Sequence, residues 1–280
     1  MAEVTPARAE LPHFLCGTAW KEERTEPLTR LALELGFRGI DTANQRKHYF
    51  EAAVGAALRS ALRAGVTTRE RLFLQTKFTA RDGQDQRLPY DARARTAEQV
   101  SQSFESSLEH LGTDYLDSYV LHGPSRRHGL GPEDWEAWRA MEGLARQGRV
   151  RQLGVSNVTL EQLRLFTEGA EVAPAFVQNR CYARTGWDRD VRAFARTHGI
   201  VYQAFSLLTA NARELMLAPI AAAAARTGRT PAEVVFRFAH AAGMLPLTGS
   251  SNREHLRADL DVTSFELTPV EISAIERVSG

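Results

Sequence analysis

Eight times along this chain a short apolar, β-branched run gives way to a longer stretch with helical periodicity. The runs are predicted as strands over Phe14–Trp20, Gly39–Ala43, Leu72–Phe78, Leu116–Gly123, Arg151–Asn157, Phe176–Tyr182, Ile200–Ser206 and Leu245–Ser250. Between them lie amphipathic stretches such as "AEQVSQSFESSLEHLG", where Val100, Phe104 and Leu108 recur at helical spacing among polar residues. Gly36, Gly112, Gly199 and Gly228 stand where helices should stop, glycine being the residue that adopts a left-handed cap at least cost. Eight strand–helix repeats are the count of a closed parallel (β/α)8 barrel, the TIM-barrel architecture of the α/β class. The rival is a doubly wound open sheet, which normally has a glycine-rich turn after its first strand. Here "FLCGTAW" has one glycine, "HGLGPEDW" lacks the third glycine of a GxGxxG pattern, and no P-loop sequence occurs. No break in composition divides the 280 residues, so a single barrel domain over residues 1–280 with a short C-terminal tail is expected.

Barrel chemistry gathers where strands end. Three consecutive strands end near ionisable residues: Asp41 in "GIDTA", Lys77 in "LFLQTKF" and His122 in "YVLHG". Neighbouring strands lie ~4.8 Å apart, which would bring carboxylate, ammonium and imidazole within mutual reach. The lysine is informative in itself, because only Lys21, Lys47 and Lys77 among 35 basic residues are not arginine. A chain so biased toward arginine is expected to use lysine where the guanidinium fork does not fit. An ion pair with Asp41 would keep a buried Lys77 charged, and that charge would lower the pKa of a nearby phenol. Tyr49, in the loop leaving the Asp41 strand, is the phenol close in sequence. Tyrosine as acid, tuned by lysine and aspartate, with histidine orienting the substrate, suits protonation of a carbonyl oxygen.

These residues resemble the aldo-keto reductases, barrel oxidoreductases that bind a nicotinamide cofactor without a Rossmann domain. "GFRGIDTA…EAAVG" is similar to the family's second-strand signature, "QTKF" to its lysine strand and "SYVLHGP" to its histidine strand. In "GRVRQLGVSN" the resemblance implies that Ser156 and Asn157 bind the nicotinamide carboxamide, joined by Gln178 of "FVQNRCY". Phe205 of "VYQAFSLLTAN" stands where many relatives stack a tyrosine beneath the nicotinamide; a phenyl face can do the same. Ser206, Leu208 and Asn211 would line the diphosphate side. In "TPAEVVFRFAHAAGMLPLTGSSNREHL", Thr248, Gly249 and Ser250 would meet the diphosphate and adenosine ends, with Arg253, His255 and Asp259 on the helix that follows. Relatives often use a lysine for the 2′-phosphate of NADPH where this chain has Leu247; Arg253 and His255 could supply the charge instead. NADPH is the expected cofactor, with NADH possible.

One spacing departs from the family. Its tyrosine falls five residues after the aspartate and three before a glutamate, but here those places hold Arg46 and His48. Tyr49 is taken as the acid and His48 as the alternative. Trp20, the loop "TARDGQDQRLPYDARART" and Trp187 are expected to wall the substrate pocket. With the chain ending soon after "LTP", an open site tolerant of bulky carbonyl compounds is expected.

Two other classes stay in view. A strand-borne Lys77 could form a Schiff base, as in a lyase or aldolase. A reductase-like barrel could also bind cofactor as a sensor or partner-binding subunit. A metal site is not expected, because the eight histidines show no ligand spacing and the two cysteines, Cys16 and Cys181, stand apart. A net charge of +1 suggests neither nucleic acid nor membrane as partner. "MAEVTPARAE" lacks the apolar core of a signal peptide, and the longest apolar run, Leu215 to Ala225, is too short to span a bilayer. A cytoplasmic monomer acting on a small carbonyl compound is the expectation.

Overall fold

The computed structural model describes residues 11–278, and "MAEVTPARAE", expected not to be a signal peptide, lies outside the described residues. Eight strands follow in order: β1 (Leu15–Gly17), β2 (Gly39–Asp41), β3 (Phe73–Phe78), β4 (Leu116–Leu121), β5 (Val150–Ser156), β6 (Phe176–Arg180), β7 (Val201–Phe205) and β8 (Met244–Thr248). All pairs are parallel, and β1 closes on β8 to complete the barrel. Most predicted strands ran past the observed C-terminal ends, because the chain there leaves the ladder for the loops that form the site. After Gly17, for example, Trp20 already has a φ of 61°.

The helices are α1 (Thr25–Leu35), α2 (Glu51–Arg63), α3 (Thr96–Leu111), α4 (Pro132–Arg146), α5 (Leu160–Gly169), α6 (Arg189–Thr197), α7 (Ala218–Thr227), α8 (Pro231–Ala241), α9 (Arg253–Leu260) and α10 (Pro269–Glu276). One helix per strand was expected, but two lie between β7 and β8 and two follow β8. Local chemistry sets their ends. In α8, Thr230 caps the Glu233 amide while Glu233 returns the bond, and Pro231 opens the first turn. Along α3, Val100, Phe104, Leu108 and Leu111 are buried, and Gly112 ends the helix at a φ of 68°.

Side chains alternate across each strand. Outward residues join the helices in the main core, where Tyr119 of β4 meets Phe104 edge-on at 5.3 Å and Trp138 packs against Phe166 at 5.1 Å. Each such buried aromatic contributes roughly 1.5–3 kcal/mol. Inward residues grade from apolar to charged up the barrel. Phe73 and Phe176 meet across its lower part, Gln75, Gln178 and Gln203 form a buried amide layer, and Lys77 with Asp41 lies at the upper end. Gly39 permits this filling: a Cβ there would stand 2.6 Å from Leu15 Cδ2 and 2.8 Å from the Phe14 carbonyl. No described helix is long and apolar enough to cross a membrane.

Candidate active site

The site is built on a buried ion pair. Lys77 is fully enclosed and donates to both Asp41 oxygens at 2.7 Å and to the Thr42 carbonyl at 2.8 Å. Asp41 Oδ1 also accepts from Gln75 Nε2 at 2.6 Å and from Gln178 Nε2 at 3.1 Å. Gln203 closes the set, accepting from Gln75 and Gln178 and donating back to Gln75. Burial pushes the Lys77 amine below its ordinary value, with Asp41 acting against that shift. The three bonds direct the ammonium hydrogens into the protein, and Lys77 does not line the cavity described below. That orientation does not favour the Schiff-base alternative, which needs an amine turned toward a carbonyl.

Tyr49 reaches this pair despite its spacing. The Gln45 carbonyl accepts from the His48 and Tyr49 amides at 3.1 and 3.0 Å, winding the additional residues into a turn. Within it Lys47 is exposed and Arg46 lies over the Phe50 ring at 4.1 Å. The Tyr49 ring centroid is 5.3 Å from Lys77 Nζ and 6.0 Å from the His122 ring, edge to face. His48 turns instead to Trp20, their centroids 3.9 Å apart, while its carbonyl accepts from the Trp20 amide at 2.7 Å.

The phenol does not have the lowered pKa expected from Lys77. Burial, and then the Asp41 carboxylate, push Tyr49 well above its usual value. Lys77 is bound to Asp41, so the pair presents little net positive charge to the ring. His122 is pushed down to about 3 by burial, then by Lys77 and His48, and is therefore neutral near pH 7. Its Nδ1 lies 2.7 Å from Thr79 Oγ1.

A cavity of about 710 Å³ opens over these groups. One end is lined by Trp20, Asp41, His48, Tyr49 and His122, the middle by Ser156, Asn157, Gln178 and Phe205. Beyond lie Ser206, Leu208, Thr248, Gly249, Ser250, His255 and Asp259. Trp20 (φ 61°), Asn157 (56°) and Ser206 (58°) on this wall are non-glycine residues held in the left-handed region, a strain that gathers at functional sites. Asp259, buried beneath Thr248 with a 2.6 Å bond from its hydroxyl, is pushed up to about 6, chiefly by burial.

Three expectations need correction. Trp187 is fully buried, stacks on Phe238 at 5.2 Å and donates to the Ile275 carbonyl, so it is a core residue and not a pocket wall. Asn211 is buried too, accepting from the Ala183 amide and donating to the Cys181 and Leu207 carbonyls, and it shapes the loop after β7 without lining the cavity. Arg253, exposed at the start of α9, stands beside this wall and not in it. The loop after β3 does not wall the pocket. It braces the Tyr49 loop, with Gln84 donating to the Asn44 carbonyl at 2.8 Å and Gln45 to the Gly83 carbonyl at 2.6 Å.

Several site residues went unseen in the sequence. Gln75 and Thr79 lie two residues either side of Lys77, and Gln203 two before Phe205, so strand alternation applied to polar residues was the available signal. Lys21, whose amine donates to the Gly249 carbonyl and links the loops after β1 and β8, had no comparable pattern. Among the described residues there is no cluster of groups that could hold a metal ion.

The family model for the aldo/keto reductase family matches residues 16–279. The chain is 30% identical to "Uncharacterized oxidoreductase YtbE" of Bacillus subtilis, over 96% of this chain and 90% of that protein. It is 33% identical to an aldo-keto reductase of Mycobacterium avium, over 96% and 86% respectively. A crystal structure of MGS-M4, an aldo-keto reductase enzyme from a deep-sea metagenome library, superposes with a TM-score of 0.83 at 25% identity, covering 96% of this chain and 92% of that one.

Proposed function

The chain belongs to the aldo/keto reductase family, and on that premise we propose that it reduces aldehydes and ketones to alcohols, with Tyr49 as proton donor. The observation that carries the proposal is the approach of the Tyr49 ring to both the Lys77 amine and the His122 imidazole. The family are oxidoreductases working with a nicotinamide cofactor, and the cavity wall suits that group. Among the described residues neither Asn157 Oδ1 nor Gln178 Oε1 accepts a bond, so both are free to receive a carboxamide N–H. Ser156 would join them, Phe205 would offer a ring face, and Ser206, Leu208, Thr248, Gly249 and Ser250 would follow the diphosphate. NADPH is the proposed form, with His255 on the wall and Arg253 beside it as hydrogen-bond donors to the 2′-phosphate.

When bound, the reduced cofactor supplies a hydride to the carbonyl carbon. Tyr49 supplies the proton at the oxygen. Its raised pKa keeps the phenol protonated, the state from which a donor must start. A developing alkoxide is a stronger base than a phenolate, so the transfer still runs downhill. Asp41 and its amide partners hold Lys77 beneath the ring; its ammonium, largely offset by Asp41 while the phenol is neutral, is a positive charge kept close to the phenolate left behind. Neutral His122 hydrogen-bonds the same carbonyl oxygen and fixes its direction.

The test is a carbonyl panel followed by oxidation of the reduced nicotinamide, run with NADPH and with NADH. Turnover on aldehydes or ketones, faster with NADPH, is expected. Tight cofactor binding with no turnover on any carbonyl would contradict the proposal and favour a sensor.

A further inference from the structure

We propose that Thr79 is a positioning residue for this site: its hydroxyl donates to His122 Nδ1 and so leaves the single ring hydrogen on Nε2, turned to the cavity. The structural part stands on the geometry alone, and its consequence for rate rests on the reductase reading above.

Thr79 is buried, two residues beyond Lys77, and does not touch the cavity. Its backbone carbonyl accepts from the Tyr90 hydroxyl at 2.9 Å and from Gln84 Nε2 at 3.3 Å. Its methyl group lies against Gly83, where a Cβ would come within 2.6 Å of Thr79 Cγ2. The β-branched side chain is therefore set in one rotamer, with the methyl at Gly83 and the hydroxyl at His122. His122 is fixed in turn: its amide donates to the Phe78 carbonyl at 2.9 Å, and its carbonyl accepts from Asn157 Nδ2 at 2.8 Å. With the backbone held on both sides, the 2.7 Å contact between Thr79 Oγ1 and Nδ1 determines the ring's orientation.

The direction of that bond follows from what each alternative leaves unmet. Among the described residues, His122 Nδ1 is the sole polar partner of the Thr79 hydroxyl. If Nδ1 carried the hydrogen and donated, the buried hydroxyl hydrogen would have no acceptor and would bear its full desolvation penalty. If the hydroxyl donates, only oxygen lone pairs go unfilled, which is cheaper. A neutral ring has one hydrogen, and it then falls on Nε2. Tyr49 and His122 both line the cavity, so the phenol hydroxyl and Nε2–H are then two donors available to a carbonyl oxygen there. A neutral imidazole N–H donates to that oxygen and aligns it.

The tautomer is read directly by long-range proton–nitrogen NMR of the whole protein with labelled histidine, the His122 signals being identified by their loss in His122→Gln. Wild type is expected to show hydrogen on Nε2 and a bare Nδ1 shifted by the bond it accepts. In Thr79→Val the Nδ1 signal should move to that of an unbonded nitrogen, with kcat falling roughly 10- to 100-fold while cofactor affinity stays unchanged. Thr79→Ser, which keeps the donor, should retain the shifted signal and most of the rate. Hydrogen on Nδ1 in wild type would overturn the assignment, and needs no variant to be seen. A valine variant with wild-type kcat would overturn the positioning role. If wild type reduces no carbonyl yet carries hydrogen on Nε2, the reductase reading fails while the Thr79–His122 bond stands.

Discussion

A carboxyl group enclosed with a single hydroxyl partner gains little from ionising, and Asp259 is in that position beneath Thr248. Its folded value of about 6 exceeds the ordinary value of 3.8, so the folded state favours the protonated form. The stability this contributes is fully present below the unfolded value and is lost as pH rises through about 6. Two pH units correspond to at most ~3 kcal/mol. Asp259→Asn, which keeps an acceptor for Thr248, is therefore expected to stabilise the protein by roughly 1–3 kcal/mol near pH 8 and to be neutral near pH 4, by denaturant unfolding at both values. Equal effects at the two pH values would show that Asp259 ionises normally. At this scale the sequence revealed Asp41, Lys77 and His122 because each ends a recognisable strand. It did not reveal Gln75, Gln203 or Thr79, whose importance lies in what they touch across the barrel. Nor did it reveal the raised phenol, since the partition of Lys77's charge between Asp41 and Tyr49 depends on distances that spacing does not give.

Elements carry the site as much as residues do. The helix α2 begins at Glu51, two residues after Tyr49, and packs against α3 through Gly55, where a Cβ would overlap the His110 carbonyl oxygen. Backbone on both sides leaves no flexible side chain to yield. Gly55→Ala is expected to cost roughly 2–4 kcal/mol by denaturant unfolding. It should also slow turnover by shifting the Tyr49 loop; a variant as stable and as fast as wild type would show that α2 can slide freely. The strands were legible from their apolar runs, and α3 and α8 from periodicity and caps. The loops were not. Nothing in "TARDGQDQRLPYDARART" signalled that it braces the Tyr49 loop, and Trp187 in "RTGWDRD" gave no sign that it turns inward to Phe238. Loop conformation is decided by tertiary contacts, which local pattern does not encode.

For the whole molecule, the eightfold alternation sufficed to set the barrel and its order. It did not resolve that the crossover from β7 to β8 carries two helices, because α7 and α8 are parted by a short "GRT" turn that reads as one helical region. The cavity is large, and Trp20 at its mouth is 67% exposed. Bulky carbonyl substrates are accordingly expected to be reduced with kcat/KM at least equal to that for glyceraldehyde-sized ones. A steady fall in activity with substrate size would refute this. The proton donor lies at the centre of the account, and the choice between Tyr49 and its neighbour His48 is tested most directly by single-turnover hydride transfer in Tyr49→Phe and His48→Gln, both saturated with cofactor. A fall of about 10²-fold or more is expected in the first and a rate close to wild type in the second. A Tyr49→Phe variant that keeps its rate, with His48→Gln inactive, would contradict the account.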